Sequence, residues 1–238
     1  ESFDEVLEKG AVSMDVDRFI EVVDTQDALV LDTRHEDVFK EGFIPGSIFI
    51  GLDGNFAPWV GALIPDLQQP IVFITEEGRE EETVTRLSRV GYDNTLGYLK
   101  GGIEAWKAAG KEVDTVEKVT VEEFKQDMLT GKAENILDVR KPTEFLAQHV
   151  KGAVNFPLDY INKNMDRLKK DNTYYLHCKG GYRSLITISI LKARGFNNLI
   201  DVFQGWDEIE QSEVAKTDYV CPTTIPQEVI DDAVNAVA

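Results

Sequence analysis

The run Leu176-His177-Cys178-Lys179-Gly180-Gly181-Tyr182-Arg183-Ser184 carries the residues best suited to chemistry in this chain. It follows an apolar, strand-like stretch and leads into a helix-like one. In an open parallel sheet that places it at the carboxyl edge of the strands, where ligands bind. Gly180 and Gly181 let the backbone turn tightly and point successive amides inward, an anion-binding nest at a helix N-terminus. Cys178 is the candidate nucleophile, because a helix terminus and the neighbouring cations Lys179 and Arg183 lower a thiol pKa toward the reactive thiolate. The amides of Lys179 to Ser184 would hold an anion, Lys179 and Arg183 would grip its charged end, and Tyr182 would line the entrance. A cysteine that serves only as a small buried apolar residue needs none of these neighbours.

Cys221, in the stretch DYVCPTT, has neither glycines nor cations around it and reads as structural or incidental, with a resolving role as the alternative. Two cysteines are too few for a disulfide framework, and they lack C-x-x-C spacing. His35, His149 and His177 are dispersed and show no metal-ligand spacing, so no metal and no cofactor is assigned. His149 and His177 are read as structural, since a thiol already lowered by a helix terminus needs no base.

The elements that must position this loop occur twice. Residues 31–50, LDTRHEDVFKEGFIPGSIFI, match residues 137–156, LDVRKPTEFLAQHVKGAVNF, so that Asp32 and Arg34 pair with Asp138 and Arg140 at one shared offset. LSRVGYDN later matches LKARGFNN at an offset two residues smaller, so the first copy is longer before that point or differently looped. Both copies alternate helix-like segments (16–23 and 121–129, the second opened by the capping box Thr120-Val121-Glu122-Glu123) with apolar strands. The strands are ALVLDTR and NILDVR, SIFI and AVNF, PIVFIT and TYYLHC, NTLGYL and NLIDVF. The expected fold class is α/β, with two domains that are each a mainly parallel open sheet flanked by helices. The expected domains are 10–112 and 116–215, joined by KEVDTVEK, with a tail over 216–238 that ends in a short helix. Asp32, Arg34, Asp138 and Arg140 recur in both copies and are read as structural. In the first copy PIVFIT leads into EEGREEE, where Glu76 stands near the place of Cys178; that domain is expected to be catalytically inactive. The stretch NFAPWVGALI is either a partner-facing loop or a core helix.

Of the 238 residues, 42% are hydrophobic and 29% charged, the balance of a globular chain able to bury a core. A net charge of −18 argues against nucleic acid or an anionic membrane as partner. No apolar run approaches the ~18 residues of a membrane span, and the acidic start ESFDE is unlike a signal peptide, so a cytoplasmic location is expected. A first residue other than methionine suggests a processed chain or part of a longer one.

The motifs LDVR, EFLAQHVKGAVNFP, YLHCKGGYRS and GF of the second copy resemble rhodanese domains, and so do LDTR, FIPGSIFI and YLKGGIEAW of the first. The resemblance implies a six-residue loop, Cys178 to Arg183, that binds a small anionic sulfur donor and stores its sulfur as a persulfide on Cys178. The donor would be thiosulfate or a low-molecular-weight persulfide, and a thiol the acceptor. The related phosphatases and arsenate reductases have a loop one residue longer. The first copy also resembles the rhodanese region of bacterial proteins that begin with a metallo-β-lactamase fold and are similar to persulfide dioxygenases. This implies such a domain as a partner in a longer protein, and leaves a non-turnover sulfur carrier or docking module as the alternative function.

Overall fold

The computed structural model describes residues 2–237, which fall into two compact units, residues 2–115 and 116–237. The first contains the strands β1 (Ser13–Met14), β2 (Leu29–Asp32), β3 (Ile48–Phe49), β4 (Ile71–Ile74) and β5 (Thr95–Leu99), arranged β1-β5-β4-β2-β3. The second contains β6 (Glu117–Val119), β7 (Ile136–Asp138), β8 (Ala153–Asn155), β9 (Tyr174–His177) and β10 (Leu199–Val202), in the corresponding order β6-β10-β9-β7-β8. Every strand pairing within these sheets is parallel, as the alternation of strands and helices requires. β4 and β9 are buried along their whole lengths, the pattern of central parallel strands covered on both faces.

The eight strands expected from the repeat are present with trimmed ends. β1 and β6 had no apolar run to announce them; they are two and three residues long and add to the sheet edge beside β5 and β10. The linker KEVDTVEK is mostly absorbed into the units. Phe43 and Asp114 exchange both backbone hydrogen bonds at 3.0 Å, and Glu117 already belongs to β6. The stretch NFAPWVGALI forms the helix Phe56–Leu63 with Phe56, Trp59, Val60 and Leu63 buried, which settles it as a core helix.

Each unit exceeds its copy of the repeat. Before the first copy, the helix Phe3–Gly10 buries Val6, and a Cβ on Gly10 would meet Val84 Cγ1 at 2.8 Å. After the second, Val220 N–H donates to Ala147 O and the helix Gln227–Val237 contacts the helix Pro142–Ala147. Asn164 Nδ2 donates to Val237 O, and Val237 is buried. The segment read as a tail is therefore packed onto its unit. No helix among the described residues is long and apolar enough to cross a membrane.

Candidate active site

β9 delivers Cys178 to the carboxyl edge of the second sheet, and the helix Tyr182–Ala193 begins four residues later. Gly181 sits between them at φ 107, a conformation L residues rarely adopt, and a Cβ there would meet Phe203 O at 3.0 Å. Its N–H points at Cys178 Sγ from 3.1 Å. Gly180 has no such constraint: a Cβ there would make only an ordinary 3.6 Å contact with Asp207. The glycine the sequence did not single out is Gly205, where a Cβ would lie 2.3 Å from Lys179 O. That close approach lets the N–H groups of Trp206 and Asp207 donate to Cys178 O and Lys179 O at 2.8 and 3.1 Å, tying the loop to the start of the helix Gly205–Ile209 that follows β10.

The side chains divide by burial. Lys179 faces solvent and Tyr182 is half-buried. Arg183 does not project freely toward an anion as expected: its Nη1 and Nη2 donate to the two oxygens of Glu144 at 2.7 and 3.0 Å. Ser184 is fully buried; its hydroxyl lies 3.7 Å from Cys178 Sγ and donates to Asp201 Oδ1 at 2.8 Å. Neither Glu144 nor Asp201 was found from sequence, because each comes from a segment remote in the chain and carries no local motif.

Cys178 is 1% exposed. Burial pushes its thiol up, the amide N–H groups of Ser184 and Gly181 and the Ser184 hydroxyl draw it only part of the way back, and the nearby Asp201 charge acts in the same direction as burial. The expectation of a lowered thiol is thus reversed: helix start and cations are present, yet desolvation outweighs them. His177 is fully buried, and burial pushes it down against the opposing pull of the Asp138 charge. Its Nδ1 lies 3.1 Å from Cys178 O, which can only accept, so the proton sits on Nδ1. Nε2 has no hydrogen-bond partner among the described residues and faces Asp138 Oδ2 at 3.7 Å. His149 stacks on Phe145 and bonds its carbonyl at 2.7 Å, a structural placement.

Behind the loop, Arg140 grips Asp138 through Nε and Nη2 at 3.0 and 2.7 Å and reaches Gln148 O at 2.8 Å. Arg34 repeats this on Asp32 and Gly42 O at 2.9, 2.7 and 2.8 Å. These pairs brace the segment after each strand in both units. Over Arg140 lies the ring of Trp206, 4.1 Å from its guanidinium carbon.

Strand register identifies what replaces the thiol in the first unit. Asp138 pairs with His177 and Asp32 with Ile74, so the next residue, Thr75, occupies the place of Cys178. This corrects the assignment of Glu76, whose Oε1 instead accepts from His35 N–H at 2.7 Å. Thr83 Oγ1 bonds Arg79 O as Thr187 Oγ1 bonds Arg183 O, which equates Arg79 with Arg183 and makes the first loop one residue shorter. A cleft of about 610 Å³ opens there, lined by Thr75, Glu77, Glu80, Tyr98, Lys100 and Arg34 among others, with no sulfur in it. Cys221 is exposed, and the Thr223 hydroxyl 3.1 Å away holds its thiol below the ordinary value.

The rhodanese-like domain family model matches residues 15–109 and again residues 120–212. A putative sulfur carrier protein of Bacillus subtilis, YrkF, is 30% identical over 106 residues, 44% of this chain and 55% of that protein. The thiosulfate sulfurtransferase PspE of Escherichia coli is 30% identical over 69 residues, 28% of this chain and 66% of that one. A solved protein of Staphylococcus saprophyticus, SSP1007, is 32% identical, covering 42% of this chain and 98% of its own with a TM-score of 0.39. The alignments thus span about half to two thirds of the length of these curated relatives. Two matches of the family model, on the two sheets whose strand orders correspond, establish that this chain belongs to the rhodanese-like domain family, with two such domains in tandem.

Proposed function

We propose that the chain is a sulfurtransferase in which Cys178 takes the outer sulfur of thiosulfate or a small persulfide, holds it as a persulfide, and passes it to a thiol or another thiophilic acceptor. The observation that carries this reading is the sulfur of Cys178 at the centre of the loop, with the Gly181 N–H aimed at it. A terminal persulfide sulfur reaching further among the amides of Lys179 to Ser184 gains charge-assisted hydrogen bonds there. The loop holds four residues between Cys178 and Arg183, which favours a sulfur atom over the larger oxyanion of a phosphate ester. The first domain, with Thr75 in place of the cysteine and Glu77 and Glu80 in its cleft, is a docking or scaffolding unit without transfer activity. No cofactor takes part.

Incubation with thiosulfate is expected to add one sulfur atom at Cys178, cyanide to remove it, and Cys178→Ser to abolish both without loss of fold. Peptide mass spectrometry placing the sulfur on Cys221 overturns the assignment. A second reading is a carrier loaded only by a partner enzyme, such as a metallo-β-lactamase-fold oxygenase. It is favoured by the near-complete burial of Cys178 and by the similarity to a putative sulfur carrier protein of Bacillus subtilis. Free turnover with thiosulfate or glutathione persulfide decides against it.

A further inference from the structure

We propose that Cys178 gives up its proton through the Ser184 hydroxyl to the Asp201 carboxylate when it attacks a sulfur donor, an inference that rests on the sulfur-transfer reading above. The three groups form one buried chain. Cys178 Sγ donates toward Ser184 Oγ at 3.7 Å, and Ser184 Oγ donates to Asp201 Oδ1 at 2.8 Å; none of the three residues is more than 1% exposed. Ser184 Oγ also lies 3.0 Å from Gly181 O, but that carbonyl already receives the Leu185 N–H, and a carboxylate is the stronger acceptor.

The tandem supplies an internal control. Leu137 and Leu31 are equivalent, they pair with Leu176 and Phe73, and these in turn pair with Asp201 and Tyr98. Tyr98 therefore stands where Asp201 does. The match of Arg79 with Arg183 places Glu80 at the position of Ser184. The domain without the thiol thus lacks all three members, Thr75, Glu80 and Tyr98 taking their places, while the Asp–Arg brace is kept in both domains. A carboxylate needed for the fold would recur like the brace; this one accompanies the cysteine.

The site also needs such an acceptor. A buried thiol that burial and Asp201 both keep protonated must lose its proton to become a nucleophile, and solvent does not reach it. The other charged and titratable groups around it are otherwise engaged. His177 has Nδ1 on the Cys178 carbonyl and Nε2 toward Asp138, Arg183 is bound to Glu144, Arg140 to Asp138, and Lys179 and Asp207 face solvent. In the step proposed, a Cys178 Sγ lone pair forms the bond to the outer sulfur of thiosulfate. The S–S bond to the sulfonate sulfur breaks, and its electron pair leaves with sulfite. The Sγ proton moves to Ser184 Oγ as the Ser184 hydroxyl proton moves to Asp201 Oδ1. In the second half-reaction the acceptor takes the outer sulfur, and Sγ, now the leaving group, recovers the proton along the same path. Ser184 touches the reacting atom; Asp201 is a positioning residue acting through it.

The test uses the full chain in a Cys221→Ser background, with ultraviolet thiolate absorbance against pH and single-turnover sulfite release from thiosulfate. Asp201→Asn is expected to move the thiolate titration to lower pH, because a negative neighbour is removed. It is nevertheless expected to slow sulfite release at neutral pH on the order of 100-fold, the scale of one general base. That deficit should close at a pH where the unaltered Cys178 is already ionised. Ser184→Ala should show the same closing deficit, and Ser184→Thr, which keeps a hydroxyl, should recover part of it; this pair decides the matter if Asp201→Asn does not fold. Sulfite release that rises in step with the lowered titration, or a deficit equal at every pH, overturns the relay. An unaltered chain that releases no sulfite overturns the sulfur-transfer reading instead. Iodoacetamide alkylation of Cys178, which demands the same proton loss, then judges the relay by the same pH rule.

Discussion

Arg183 is held by both oxygens of Glu144, so under the proposed reaction a thiosulfate sulfonate arriving at the loop competes with a carboxylate already in place. Burial pushes Glu144 up, but the Arg183 pair outweighs it and keeps the carboxyl below its ordinary range. A carboxylate depressed in the folded state contributes stability that is complete above its unfolded pKa and is lost as the pH falls through the folded one. Glu144→Gln should therefore remove part of the acid-dependent loss of stability, read by urea unfolding at pH values from about 5 downward. It should also lower KM for thiosulfate by roughly threefold or more, since a charge-assisted contact is released to the donor, and leave a neutral donor unaffected. If both donors change alike, Arg183 is a brace rather than a donor ligand. At this scale the loop around Cys178 was legible in the sequence, because strand, glycine pair and helix are contiguous. The sequence concealed Glu144 and Asp201, 39 and 17 residues from their partners, and misjudged the thiol, since burial is not written in the neighbouring letters.

The helix Val121–Leu129 opens with a closed capping box. Thr120 Oγ1 accepts from Glu123 N–H at 3.1 Å, and Glu123 Oε2 accepts from Thr120 N–H at 2.7 Å. Behind it Phe124 packs on Tyr175 in the core of the second domain. Thr120→Ala should cost about 1 kcal/mol, measured as a lowered urea midpoint with unchanged slope; no change would mean that the helix start is held by packing alone. This box was legible because its signature is local. A second capping box, at Ser2 and Glu5, is just as local, but it opens a helix that lies outside the repeat. β1 and β6 were hidden for a different reason: two or three edge residues, largely polar or half-exposed, bury too little to leave a pattern.

The chain falls into two compact units, and the second contains the loop, Glu144, Asp201 and the packed C-terminal segment. Residues 116–238 expressed alone should fold and retain sulfur transfer, whereas residues 1–115 should fold and show none; transfer by the first fragment, or none by the second, would refute the division of labour. The doubled architecture was readable from offsets alone, but the replacement of Cys178 by Thr75 needed strand register, because loops of unequal length slide a sequence comparison by a residue. The same molecule also sets its two thiols far apart in accessibility, one enclosed and held protonated, the other exposed with a Thr223 hydroxyl bound to it. A limiting amount of maleimide near neutral pH should therefore attach a single dye or affinity handle at Cys221. Peptide mapping that finds the tag on Cys178 would refute this selectivity. The chain carries a built-in conjugation point, so its assembly with other proteins can be followed optically without engineering a new cysteine or silencing the old one.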